Sequence, residues 1–458
     1  MAAQRSDALV CFGASGDLAY KQIFPALMGL TAAGQLEMPV IGVARSAWTR
    51  EEFIARARKS IEERGKMDEA VFARLAQRLD YIQGEYLEAD TFTRLKAALR
   101  DAKRPLFYLA IPPSLFEGVT RGLSQAACTT DSRVVVEKPF GRDLVSAREL
   151  NAVLHQFFPE DSIFRIDHFL GKEPVQNLLY FRFANTFLEP IWNRDYVDRI
   201  EITMAEKFGV NGRGRLYEEM GVIRDVVQNH LLQVAALLLM DPPVARDAES
   251  LRDATGHAFK SMRAMNPREV VRGQFDGYRD EEGVAKNSTV ETYAALRLHV
   301  DSWRWSGVPV YIRAGKCMAI TATEVFAVLK RPPHMLFDDV RYARPNHVRF
   351  RLSPEVILEL GARAKKPGDA LVGEAVDLDA SHLHGHEVPA YQRLLGDAMR
   401  GDQMLFARTD AVEAAWRIVE PVLNDVGPVY PYASGSWGPQ EATEFIPGSA
   451  WNDLKPEE

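Results

Sequence analysis

An acid, an imidazole and an ammonium stand within six residues in the run Phe164-Arg165-Ile166-Asp167-His168-Phe169-Leu170-Gly171-Lys172. A carboxylate can orient or charge a neighbouring histidine. A lysine four residues beyond that histidine shares its face if a helix begins there. Such a set holds an anionic substrate beside a proton-transfer group, although taken alone the run equally fits a salt-bridged turn. A second cluster, Arg224-Asp225-Val226-Val227-Gln228-Asn229-His230, opens a helical pattern that continues through the apolar Val234–Leu239. Polar side chains at the mouth of an apolar helix need partners if buried. A substrate with several hydroxyls would supply them, and so would a satisfied internal network.

Two further cations follow apolar strands. Lys138 comes after Arg133-Val134-Val135-Val136-Glu137, and Lys316 closes Arg313-Ala314-Gly315-Lys316, which follows the apolar Val308-Pro309-Val310-Tyr311-Ile312. Open parallel sheets bind ligands beyond their C-terminal strand ends, which puts Lys138 at such a crevice. Either lysine alone reads as a solvated residue. Together with His168 and Lys172 they argue for a sugar or sugar-phosphate pocket.

The first strand, Ala8–Phe12, runs into Gly13-Ala14-Ser15-Gly16-Asp17-Leu18-Ala19 and then a helical pattern from Leu18 to Leu30. Glycines let the backbone approach a pyrophosphate, and the helix N-terminus supplies N–H donors. The Gly-x-x-Gly-x-x-Ala spacing departs from the commoner Gly-x-Gly-x-x-Gly, so the strand–turn–helix context carries the reading. Gly13, Ser15, Gly16, Asp17 and Leu18 are the candidate contacts. The second strand, Pro39–Ala44, ends at Arg45 where an NAD site would place an acid. A guanidinium suits a ribose 2′-phosphate, so NADP is expected, with NAD as the alternative acceptor.

These residues need a scaffold. Thr49-Arg50-Glu51-Glu52 has the form of a capping box opening an amphipathic helix, and Leu106–Ala110 and Arg133–Glu137 are further continuous apolar strands. Apolar strands alternating with helices predict a parallel sheet covered on both faces, an α/β Rossmann-type dinucleotide-binding domain over residues 1–168. From 169 to 458 the pattern changes. Arg199–Thr203 and Thr292–Val300 alternate apolar and polar, as in an antiparallel sheet with one packed face. An α+β domain with a large, mainly antiparallel sheet is expected there. Segment 361–386 is the most loop-like part of the chain, and its alternating His382, His384 and His386 read as exposed strand residues and not as a metal site.

Composition removes several function classes. With 458 residues, 47% apolar and 26% charged, the chain is that of a globular protein large enough for two domains. A net charge of −7 and no dense basic block argue against nucleic acid as a partner. No uninterrupted apolar stretch has membrane-span length, and the N-terminus lacks a signal-peptide pattern, so a cytoplasmic protein is expected. Cys11, Cys128 and Cys317 are far apart and lack metal or disulfide spacing.

Segments spread from residue 13 to 439 carry a family signature: GASGDLA, YLAIPP with Pro112, EKPFG around Lys138, RIDHFLGKE, FANTFLEPIWNR, RDVVQNHLLQ, VVRGQFDGY, WRWSGVPVYIRAGK, LFARTD and GSWGP. In these the chain resembles the glucose-6-phosphate dehydrogenase family. The resemblance implies oxidation of glucose 6-phosphate at C1 to the 1,5-lactone, with hydride passing to nicotinamide C4 of NADP, in the oxidative pentose phosphate pathway. It casts His230 as general base and Asp167 as its orienting carboxylate. His168 and Lys172 become the phosphate ligands, with Lys172 also near the reacting end. Glu206, Asp225 and Lys316 become sugar ligands. Lys138 lies beside nicotinamide and substrate, and Pro112 joins the cofactor contacts. It also implies no metal and a homodimer or homotetramer.

The chain departs from the family pattern at Gln22 and Thr321, where cations are usual, at Phe169, where tyrosine is usual, and at Arg215 in the usual Gly-Gly pair. A charge-assisted contact contributes about 1.5–3 kcal/mol, so losing two cations would weaken a dianionic phosphate by about tenfold to several-hundredfold. An aldose C1 dehydrogenase acting on unphosphorylated glucose or another sugar derivative is the alternative these positions raise.

Overall fold

The computed structural model describes residues 5–455 apart from 338–343, 369, 381–387 and 425. His382, His384 and His386 thus lie outside the described residues. The chain divides into two compact units. The first runs to Glu173 and takes in Pro243–Asp253 and a segment ending at Glu413; the second holds the rest.

In the first unit, β1 (Ala8–Phe12), β2 (Val40–Ala44), β3 (Leu79–Gln83), β4 (Pro105–Leu109), β5 (Arg133–Glu137) and β6 (Ile163–Ile166) form a six-stranded sheet. Its order is β3-β2-β1-β4-β5-β6, and every neighbouring pair is parallel. The register Phe12↔Val43 and Phe12↔Leu109 brings the ends of β1, β2 and β4 level. Every residue of β1, β2 and β4 is buried, which explains their unbroken apolar sequences. Alternate side chains serve two cores. Leu9 and Cys11 pack with Leu27 and Leu30 of α1 (Phe24–Ala32) and Phe53 of α2 (Arg50–Glu62). Val10 and Phe12 pack with Phe92, Val119 and Leu123 on the other face. Burial pushes the Cys11 thiol up to about 12, so it behaves as a small core residue. The capping box is formed: Thr49 Oγ1 accepts from Glu52 N–H at 3.2 Å, and Glu52 Oε2 accepts from Thr49 N–H at 2.7 Å.

The second unit is built on nine strands. They are β7 (Val197–Ala205), β8 (Val270–Phe275), β9 (Tyr293–Leu298), β10 (Val310–Gly315), β11 (Ala322–Leu329), β12 (His347–Ser353), β13 (Ile357–Lys365), β14 (Gly373–Ala380) and β15 (Val429–Tyr432). The order is β14-β13-β12-β11-β7-β10-β9-β8-β15. Pairing is antiparallel except at β7–β10 and β8–β15. Two expectations change here. Segment 361–386 is not all loop, because β13 and β14 pair from Leu358↔Ala380 to Lys365↔Gly373; β14 is an edge strand whose side chains are mostly exposed, so its composition imitates a loop. The polar face of the sheet is not solvent-facing either. Glu201, Thr203 and Arg313 are buried. Asn452 N–H donates to Glu201 at 2.8 Å, and Arg313 lies between Trp437 and Trp451 and bonds Asp453 at 2.8 Å. The alternating charges pair with the chain's C-terminal segment.

The stretch Gly214–Leu239 is long and apolar enough by composition to cross a membrane, yet 83% of its apolar window is buried inside the protein. Gly221, at φ 64° and ψ 174°, breaks it. It reads as a core helix.

Candidate functional site

The C-terminal edge of the six-stranded sheet collects most of the candidate residues of the first unit. Gly13 leaves β1 at φ +81°, and a Cβ there would lie 2.0 Å from the Ala110 carbonyl oxygen. Only glycine fits, because the loop must pass against the backbone leaving β4. Gly13 N–H donates to Val43 O at 3.0 Å and Gly16 N–H to Gly13 O at 2.9 Å, a tight turn into the helix that starts at Ala19. Ser15 and Gly16 form that turn. Asp17 is exposed and pairs with Lys21 at 2.8 Å, while Leu18 is the residue before the helix. Arg45 is exposed directly after β2. Pro112 precedes the short helix Pro113–Leu115 just past β4, and Lys138 follows β5.

Asp167 follows β6 and is buried. Its Oδ1 accepts from Phe169 N–H at 3.0 Å, and its carbonyl accepts from Leu170 N–H at 3.1 Å. Two more such turns carry the chain to Lys172, because Gly171 and Lys172 N–H donate to His168 and Phe169 carbonyls. The helix that would have put His168 and Lys172 on one face begins only at Glu173. The Lys172 ammonium instead sits 4.3 Å from the centroid of the buried Phe169 ring. His168 lies parallel to Tyr391, with ring centroids 6.2 Å apart and 14° between planes.

Tyr391 is a residue the sequence reading missed. Its hydroxyl and that of Tyr108 both hydrogen-bond the Glu137 carboxylate, next to Lys138. Burial pushes the Glu137 carboxyl up to about 7, against the opposing pull of the two tyrosines and Lys138. A carboxyl raised in this way keeps a proton in the folded protein that the unfolded chain has released. Its contribution to stability is therefore present below pH 4.5 and lost as pH rises toward 7, by about 3 kcal/mol. Glu137→Gln should flatten this dependence. The thermal midpoint of the variant is expected to fall less than that of the parent between about pH 5 and about pH 8. Parallel profiles would remove Glu137 as the titrating group.

The second unit carries the other four. Glu206 and Lys316 follow the paired parallel strands β7 and β10, where Ala205 faces Gly315. The Lys316 ammonium is buried and reaches Glu206 Oε2 at 2.6 Å, with the rings of Phe208 and Tyr217 at 5.3 and 5.2 Å. Asp225 and His230 lie on the π-helical segment Ile223–Leu231, where wide turns re-aim side chains. Glu291 caps it: its Oε1 accepts from Ile223 N–H at 3.3 Å, and its other oxygen pairs with Arg272 at 3.0 Å. A Cβ on Gly221 would lie 2.4 Å from that Oε1, so a glycine there lets the cap approach. His230 is buried, and its N–H donates to Asn229 Oδ1 at 2.6 Å. The Asp225 charge, after burial, helps raise the Tyr217 hydroxyl. Thr321 accepts Lys207 N–H through its hydroxyl at 2.9 Å, so this departure from the family pattern braces the chain beyond Glu206.

Another histidine–carboxylate group, His347 with Glu359 and Asp377, is already neutralised within its sheet. Arg349 pairs with Glu359 at 2.7 Å and Arg344 with Asp377 at 3.3 Å. It is an ion-pair network.

Residues 10–177 match the family model described as glucose-6-phosphate dehydrogenase, NAD binding domain. Residues 179–452 match glucose-6-phosphate dehydrogenase, C-terminal domain. The chain is 44% identical over 446 residues to glucose-6-phosphate 1-dehydrogenase 1 of Mycobacterium tuberculosis (strain ATCC 25618 / H37Rv), covering 97% of this chain and 95% of the relative. It is 39% identical over 471 residues to the cytoplasmic isoform of Solanum tuberosum, covering 97% and 91%. Glucose-6-phosphate 1-dehydrogenase from Mycobacterium avium superposes with a TM-score of 0.93 at 44% identity, over 99% of this chain and 100% of that one. A glucose-6-phosphate dehydrogenase solved in complex with its substrate glucose-6-phosphate gives 0.92 at 34% identity, over 99% and 100%. This chain belongs to the glucose-6-phosphate dehydrogenase family.

Proposed function

We propose that the chain oxidises glucose 6-phosphate at C1 to 6-phosphoglucono-1,5-lactone with NADP as acceptor, in the pentose phosphate pathway. The observation that supports this best is the common edge in the first unit. The glycine loop, Arg45, Lys138 and the Asp167–Lys172 turn all follow C-terminal ends of parallel strands in one sheet. When bound, the dinucleotide supplies the hydride acceptor at nicotinamide C4. The protein's share is binding and proton transfer. Gly13, Ser15, Gly16, Asp17, Leu18 and Pro112 receive the dinucleotide, and Arg45 takes its 2′-phosphate.

In this reading His168 and Lys172 hold the sugar phosphate. Glu206, Asp225 and Lys316 orient the sugar hydroxyls, and Lys138 steadies the reacting end. His230 takes the proton from the C1 hydroxyl as hydride leaves C1, and Asp167 favours the imidazolium that results. The working form is a cytoplasmic homodimer or homotetramer. The reaction balances with one hydride and one proton lost from the sugar, so no metal is required.

Phe169 favours a second reading, an aldose dehydrogenase on the same scaffold. It is buried beneath Lys172 and offers no hydroxyl to a phosphate. Initial rates of NADP reduction with glucose 6-phosphate and with glucose separate the two. The phosphate ester should win by about a hundredfold or more in kcat/KM, as two charge-assisted contacts imply. Comparable values would transfer the assignment to the aldose reading.

A further inference from the structure

Arg56, on α2, holds a cation beside the cofactor loop that makes no direct ion pair with a carboxylate among the described residues. Its guanidinium carbon is 4.1 Å from the centroid of the Tyr20 ring and 5.9 Å from that of Trp48. Its Nε is buried without a hydrogen-bond partner among the described residues. Both supporting rings are braced. Tyr20 lies in the first helical turn after the glycine loop and hydrogen-bonds Glu63. Trp48 stands in the connection after Arg45, with its ring 6.0 Å from that of Tyr81, whose hydroxyl donates to Ser46 O at 2.7 Å. The other arginines of α2 are committed elsewhere. Arg58 pairs with Glu69 at 2.8 Å, and Arg50 donates to the Leu79 and Ala76 carbonyls. Asp17, in the loop, is held low chiefly by Lys21 and to a lesser degree by Arg56, which sets the guanidinium near the loop's own acid.

A flat guanidinium stacked on aromatic rings keeps its edge N–H groups available for a planar pair of phosphate oxygens. In dinucleotide folds the 2′-phosphate meets the residue that ends the second strand. Arg56 stands between that connection and the glycine loop. We propose that Arg56 is the second cation of the 2′-phosphate site, acting with Arg45, and that this pair sets the preference for NADP over NAD. The inference rests on the NADP reading above.

The test is fluorescence titration of the full chain with NADPH and NADH, for Arg45→Ala, Arg56→Ala and Arg56→Lys, backed by competition with adenosine 2′,5′-bisphosphate and with 5′-AMP. Arg56→Ala should weaken NADPH and the bisphosphate by about tenfold to a hundredfold, and leave NADH and AMP within about twofold. Arg56→Lys should recover part of the loss, and added salt should narrow the difference between parent and variant. Equal weakening of NADPH and NADH, or a lowered melting temperature with no selective loss, would make Arg56 a packing residue only and overturn the proposal. If Arg45→Ala is selective and Arg56→Ala is not, the second cation is wrong and the NADP reading stands. If neither is selective, both fall.

Discussion

His230→Asn should lower kcat by about a hundredfold to ten-thousandfold, the usual worth of a general base, and leave the KM for glucose 6-phosphate within about threefold. The expectation follows from what the residue sits on. The segment Ile223–Leu231 is held from outside by Glu291 at Ile223 N–H, and Glu291 is anchored by Arg272. The first turn of that segment is thus held by residues other than 230, and the His230 backbone N–H stays bonded to Asn229 Oδ1. Asparagine keeps polarity and much of the volume but cannot exchange a proton near neutrality. A loss confined to kcat removes an interaction made in the transition state, whereas a rise in KM alone would mean lost binding. Circular dichroism should be unchanged. A variant that keeps more than about a tenth of parental kcat would take the base role away from His230.

Gly13→Ala should be severely damaging for a single added methyl. The added carbon would meet Ala110 O at 2.0 Å and Ala110 C at 2.8 Å, and the residue would have to hold φ +81°. Ala110 cannot retreat freely, because its N–H donates to Phe12 O at 3.0 Å and so continues the β1–β4 pairing. Left-handed backbone costs a non-glycine residue about 1–2 kcal/mol, and forcing strand ends apart adds about 1–3 kcal/mol more. NADPH affinity is expected to drop by about a hundredfold or more, together with a lower melting temperature. Gly16→Ala is the comparison, since its added carbon would meet only Gly13 O at 3.2 Å. Its effect should be smaller on both measures. Parental binding and melting in Gly13→Ala would show that the loop does not need glycine there.

Among the strands, the legible ones were those whose burial is complete. β1, β2 and β4 are continuous apolar runs because neither face meets water. β3, Leu79–Gln83, does not stand out in the sequence. It lies at the sheet edge, and its alternation of buried and exposed residues is too short to separate from the preceding helix. The β13–β14 hairpin looks loop-like in sequence because an edge pair solvates most of its positions. The single packed face expected for the large sheet failed for a different reason. Glu201, Thr203 and Arg313 look like a wet face in sequence, but the C-terminal Asn452 and Asp453 bring them partners.

The site divides along the same line. Candidate groups made of neighbouring residues stand out in sequence: the loop from Gly13 to Leu18, Arg45 at a strand end, and the Asp167–Lys172 and Asp225–His230 groups. So does the family to which those motifs belong. Hidden from the sequence were the partners that arrive from far along the chain. Tyr391 stacks on His168, Tyr108 and Tyr391 bond Glu137, Glu291 caps the segment that carries His230, and Tyr20 supports Arg56. Local order follows from backbone preferences and short-range periodicity, which any window of sequence displays. Long-range pairs form only when burial of apolar surface offsets the entropy of closing large loops, and no local pattern records which buried polar group will meet which.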